Sequence, residues 1–292
     1  MKSPIYLPVF LVLTLCPLWA NATVYDEFRG IRSGGMGGAH RGIGTSNDTL
    51  LLNPAGMAIL SRYSIELDYG YNKKDDLSRA HFSAVDSKSS PVAAGLAYTY
   101  VKGDQKNVDP NMHFIYFGMA YRIANSVAFG ISSKNFRGEF TDETGLKEYD
   151  LYTGDVGVQF NLGDSVRVGL TYHNLMETDL PKLTPPTLGA GASFQWNELV
   201  FAADLDADIT DSDNPKMTYR AGAEYFYNRI APVRIGYTRS PFIRSTGAKA
   251  EEDIVSAGLG YLSQTGSLDI SFSRSVQRAR NWTLIGGMKF FL

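Results

Sequence analysis

The sequence predicts an all-β protein: a transmembrane antiparallel β-barrel of about fourteen strands with an N-terminal hatch inside the lumen. Three observations predict it. Apolar residues alternate with polar or small ones along most of the chain, short and long connections take turns between the alternating runs, and the amino terminus reads as an export signal. The 292 residues include 29 glycines and 17 tyrosines, poor material for a helical bundle but suited to a curved sheet that faces lipid. A hydrophobic fraction of 44% excludes a disordered chain. With 28 Lys+Arg against 30 Asp+Glu, no basic excess exists to neutralise a nucleic-acid backbone.

The first element is a signal peptide over residues 1–22. Lys2 supplies the charge, Val9 to Leu15 the apolar stretch, and Ala20-Asn21-Ala22 the small residues that place cleavage before Thr23. The stretch is shorter than the ~20 residues of a spanning helix, and Pro4, Pro8 and Pro17 break the sequence around it. The only cysteine, Cys16, lies within the signal peptide, so the mature chain is expected to form neither disulfides nor thiolate metal sites. No second long apolar run follows, and a span must then be built of strands.

Residues 23–62 are expected to form the hatch, because a barrel of about fourteen strands is too wide for wall side chains alone to fill. Gly30, Gly34, Gly35, Gly37, Gly38, Gly42 and Gly44 make this stretch irregular and compact. A phosphate-binding loop is the competing reading, and it fails for want of a Gly-Lys-Ser/Thr ending. Ser46 or Asn47 is expected to cap a short helix through Leu52, with Pro54 opening a second.

Residues 63–292 are the barrel. Tyr63, Ile65, Leu67, Tyr69 and Tyr71 share one face of the first strand, and Ser64, Glu66, Asp68 and Gly70 the other. Val166 to Tyr172 and Leu268 to Phe272 repeat the pattern. Short connections (87–90, 123–125, 161–164, 263–265) alternate with long ones (102–111, 136–149, 175–186, 240–252), as periplasmic turns alternate with external loops. A soluble sandwich shows the same period but has no reason to sort its loops. Aromatic girdles are expected at the two strand ends: Tyr121, Phe160, Trp196, Tyr225, Tyr261 and Phe290 at one, Tyr71, Tyr100, Tyr172 and Tyr237 at the other. The last strand ends with Gly287, Phe290 and Leu292, similar to the signal read by barrel-assembly machinery, though Ile285 stands where that pattern has a polar residue.

Gly35-Met36-Gly37-Gly38-Ala39, then Asn47-Asp48, then Asn53-Pro54-Ala55, and later Tyr172-His173-Asn174-Leu175, together resemble the FadL family of outer-membrane long-chain fatty acid transporters and its PorV-like and TraF-like relatives. The resemblance implies a bacterial outer-membrane location and passive transport of small hydrophobic compounds, or else an accessory, non-transporting role in protein secretion or conjugation. It implies no cofactor. Its partners would be outer-membrane lipids, the assembly machinery, and a hydrophobic small molecule or secretion components. The chain departs from the family in its short polar loops, such as Lys102 to Lys106, which speak against a tight surface groove.

Charge suggests how the hatch is held. Arg29, Arg32 and Arg41 have no acid among them between Arg29 and Thr45, while alternation turns Glu66, Asp68, Asp155, Asp204, Asp206 and Asp269 into the lumen. Arg220, Arg234 and Lys289 also point inward, so part of the pairing is expected within the wall. His40, His81, His113 and His173 read as isolated polar or rim residues with no serine and carboxylate around them, so no enzyme is expected. Asp204, Asp206 and Asp208 share a strand face and read as solvated lumen charges rather than a metal site.

Overall fold

The computed structural model describes residues 29–74, 76–103, 111–142, 145–178, 183–243 and 249–292. The expected signal peptide, residues 23–28 and the loop residues 104–106 lie outside the described residues. The chain forms fourteen strands: β1 (Tyr63–Asn72), β2 (Leu77–Asp86), β3 (Val92–Gly103), β4 (Asn111–Ala124), β5 (Val127–Asp142), β6 (Gly145–Leu162), β7 (Val166–His173), β8 (Thr187–Trp196), β9 (Leu199–Asp208), β10 (Lys216–Tyr227), β11 (Ala231–Ile243), β12 (Lys249–Leu262), β13 (Gly266–Ser275) and β14 (Trp282–Phe291). Each pairs antiparallel with its sequence neighbours, and β1 closes on β14 through Ser64↔Phe291 to Asn72↔Thr283. Closure leaves no sheet edge unpaired, the condition for strands to cross a bilayer.

Alternation decides which face is wet. Leu67, Leu96, Phe117, Ile131, Leu170, Phe201, Ile235 and Ile270 all point outward and stay exposed. Their strand neighbours Asp68, Ala97, Tyr116, Ser132, Thr171, Ala202, Arg234 and Ser271 are buried inside. An apolar band of this extent is stable only against lipid. The proposed girdle residues Tyr121, Trp196, Tyr225, Tyr261 and Phe290 are exposed at the short-turn end.

Two of the expected long loops are strands. β5 and β6 remain paired from Phe136↔Leu151 to Asp142↔Gly145, and β11 and β12 as far as Ile243↔Lys249. Lys102 and Asn111 likewise belong to β3 and β4. The outward face there carries polar residues such as Arg137, Glu148 and Asp150, because these hairpins continue past the apolar band, and that polarity read as loop. Neither Ser46 nor Asn47 caps a helix: α2 (Thr49–Leu52) starts after Asp48 without a side-chain cap. Asn53 instead accepts from the Ala55 amide and starts the 3₁₀ turn Pro54–Ala58. Closed barrels resist detergent unfolding, so the unboiled protein is expected to migrate faster on a denaturing gel than the boiled one. Identical migration of the two samples would contradict closure.

Candidate functional site

From Arg29 to Ala58 the chain runs inside the barrel. Gly30 opens α1 (Ile31–Gly35), which packs on β11 to β14. Gly37 and Gly38, at φ +66° and +77°, reverse the chain in a conformation that side chains resist, and this seats it on the wall. A Cβ on Gly222 or Gly236 would land on Met36 and Gly37, and one on Gly130 or Gly157 on Asn53, Pro54 and Ala55. Wall glycines thus form the bed of the two motifs, Gly35-Met36-Gly37-Gly38-Ala39 and Asn53-Pro54-Ala55. Asn53 closes the second by donating from Nδ2 to Gln159 Oε1 at 2.9 Å. Ile285, in a position usually polar, is buried against Gly34 and Gly70.

The charged groups form a band of two ion-pair networks, one around Asp204 and Asp206 and one around Glu224. Arg41 is 1% exposed; its Nη2 lies 2.6 Å from Asp206 Oδ1 and its Nη1 3.6 Å from Asp204 Oδ2. The amides of His40 and Arg41 also donate to Asp204, at 3.0 and 2.9 Å. Arg29 reaches Asp206 at 3.3 Å, and Arg220 pairs with the same carboxylate. Arg32 pairs with Glu224, which Arg234 also holds at 2.7 Å while reaching Asp269 at 2.6 Å.

Glu66 and Asp155 pair with wall residues. Glu66 lies 3.0 Å from Lys289 within the wall. Asp155 binds Lys134 at 2.9 Å and His173 Nδ1 at 3.1 Å. Asp68 is buried with both oxygens lacking a hydrogen-bond partner among the described residues. Asp204, Asp206 and Asp208 are buried and ion-paired rather than solvated, and no metal-binding cluster occurs among the described residues.

The histidines are not isolated either. His173 Nε2 lies 3.3 Å from Arg41 Nη2, and His113 on the outer face lies 2.7 Å from the Tyr98 hydroxyl. His40 Nε2 is 2.8 Å from Ser46 Oγ, and its Nδ1 has no hydrogen-bond partner among the described residues. Burial pushes this imidazole down to about 3, which keeps it neutral.

The lumen is two-sided. Val85, Val101, Phe114, Tyr116, Phe136 and Leu151 of β2 to β6 form an apolar strip that meets Leu50, Leu51, Leu52 and Met57. The opposite wall, from β9 around to β1, carries the pairs of Asp204, Asp206, Glu224 and Glu66, while Lys134 and Asp155 place one buried ion pair beside the strip. The segment separates two chambers. One, of about 640 Å³, faces the long loops and is lined by Leu51, Leu77, Leu183, Arg29, Asp206 and Glu252, among others. The other, of about 550 Å³, faces the short turns.

This architecture is shared with solved structures. The chain superposes on the CymD monoaromatic hydrocarbon channel with a TM-score of 0.70 at 15% identity, over 93% of this chain and 98% of that one. The Pseudomonas putida toluene transporter TodX gives 0.61 at 15% identity, over 93% and 98%. The Ralstonia pickettii toluene transporter TbuX gives 0.58 at 12% identity, over 90% and 96%. At these identities the likeness is one of fold. No family model and no curated protein matches the chain.

Several residues of this band escaped the sequence reading. Glu224 alternates inward with Gly222, and Lys134 with Gly130 and Ser132, so the period that located the other charges also applied to them. Their partners could not be read, because Arg32 and Glu224 are 192 positions apart.

Proposed function

We propose that the protein is a bacterial outer-membrane channel for passive movement of small hydrophobic compounds, with residues 23–62 as its hatch, and that it is not an enzyme. The observation that carries this is the apolar strip of β2 to β6, which runs from the long hairpins to Leu50, Leu51 and Leu52. Parting the segment from this strip would open an apolar path while the charged wall stays paired. The shared fold with monoaromatic hydrocarbon channels supports the same reading. Lipid contacts the outer band, and the barrel-assembly machinery would recognise β14. The test is uptake of labelled toluene by liposomes. Vesicles holding the protein should fill faster than empty ones, and a chain lacking residues 29–45 should also admit small sugars. Filling no faster than empty vesicles would refute the transport role. The Gly35 to Ala39 motif, closest to the PorV-like form, favours a second reading as an accessory barrel in secretion or conjugation; a stable complex with secretion components in place of uptake would support it.

A further inference from the structure

The chamber on the short-turn side has a charge balance unlike the rest of the lumen. Its lining includes Arg32, Arg62, Arg167, Arg234 and Lys289 but one acid, Asp269. Glu224 and Asp269 together neutralise Arg32 and Arg234, and Glu66 pairs with Lys289. Arg62 and Arg167 have no ion pair among the described residues. Each holds a carbonyl of the N-terminal segment instead: Arg62 Nη2 donates to Ser46 O at 2.5 Å, and Arg167 Nη1 to Ile43 O at 3.2 Å. Arg62 Nε and Nη1 are buried without a hydrogen-bond partner, and burial pushes this guanidinium down to about 10. The rest of the lining is largely apolar, with Leu60, Val200, Phe226, Leu262 and Phe291.

We propose that this chamber binds a small amphipathic organic anion, a carboxylate or sulfonate on an apolar body, with Arg62 and Arg167 as its anion-binding groups. A half-buried guanidinium is compensated less well by a neutral carbonyl than by a carboxylate, which offers it a charge-assisted, two-point acceptor. A volume of about 550 Å³ suits a small organic molecule. The site is also a latch. An anion that recruits the two guanidiniums takes them from Ser46 and Ile43, so occupancy loosens this edge of the segment, and by linkage a loosened segment binds the anion more tightly. This inference goes beyond the transport reading, because equilibrium binding is measured without flux and either can fail alone.

The test is calorimetric titration of the whole protein in a nonionic detergent with 4-butylbenzoate. Butylbenzene supplies the body without the charge, and inorganic phosphate the charge without the body. The benzoate should bind roughly tenfold or more tighter than either. Arg62→Gln with Arg167→Gln should lose that advantage, whereas Arg229→Gln, an exposed arginine outside the chamber, should keep it. Should the double variant fail the gel-shift check for folding, each single variant should still weaken binding. Faster amide exchange at Thr45, Ser46 and Asn47 with the benzoate bound would support the latch. Equal affinity for butylbenzene, equal affinity for phosphate alone, or unchanged binding by the arginine variants would each overturn the proposal.

Discussion

Replacing Gly130 with valine should expel the N-terminal segment from the lumen while leaving the barrel closed. A Cβ at this position falls on the backbone of Pro54 and Ala55, and backbone cannot step aside as a side-chain tip can. Overpacking of an ordinary core costs about 1–3 kcal/mol by forcing rotamers. Here the Asn53-Pro54-Ala55 turn must move as a unit, so about 3 kcal/mol or more is expected, raising the displaced population about a hundredfold. Valine suits a strand, so β5 itself should tolerate it. Gly286→Val is the control: it faces lipid on β14, and a Cβ there meets nothing within 4 Å. Single-channel conductance and protease cleavage between residues 29 and 62 should rise for Gly130→Val only. Equal conductance of the two variants would mean that the segment does not obstruct the pore.

The contrast between these glycines also shows what was legible in the sequence. Period two separates Gly130, beside exposed Phe129 and Ile131, from Gly286, which shares its face with Leu284 and Met288. The lipid side of nearly every strand follows from that period, because a bilayer enforces it residue by residue. The same rule failed above the band, where β5 and β6 continue as a hairpin in a setting that no longer demands apolar residues. It could not say which acid meets which arginine. The segment crosses an open lumen, and the partner of Arg41 is fixed by the angle at which Gly37 and Gly38 turn it. That angle sends Arg41 to Asp204, 163 positions away, and leaves Asp155 to Lys134 and His173. Nor could sequence show that Arg62 and Arg167 lack acids, since a missing partner is visible only when all neighbours are placed.

Removing the charge of Arg41 should free the segment more than removing that of Arg29, although both reach Asp206. Arg41 is buried to 1% and lies against two carboxylates and His173, whereas the Arg29 side chain is 20% exposed and reaches Asp206 at 3.3 Å. A buried pair that loses one member leaves an uncompensated charge in a medium that solvates it poorly, at about 3–5 kcal/mol. The partly exposed contact contributes about 0–1 kcal/mol. Asp206 keeps Arg220 after the change, and Asp204 keeps the two amides, so the lower end of the first range is expected for Arg41→Met. That corresponds to a rise in the open population of about two orders of magnitude, against fivefold or less for Arg29→Met. Asp206→Asn added to Arg41→Met should cost less than the sum of the two single changes, since the Arg41–Asp206 contact can be lost only once. Salt should barely alter the Arg41 effect, because ions do not screen a pair sealed from water. Conductance at low and high salt, together with amide exchange at His40 and Arg41, reads all of these. If Arg41→Met opens the channel no more than Arg29→Met does, the buried cluster is not what holds the segment in place.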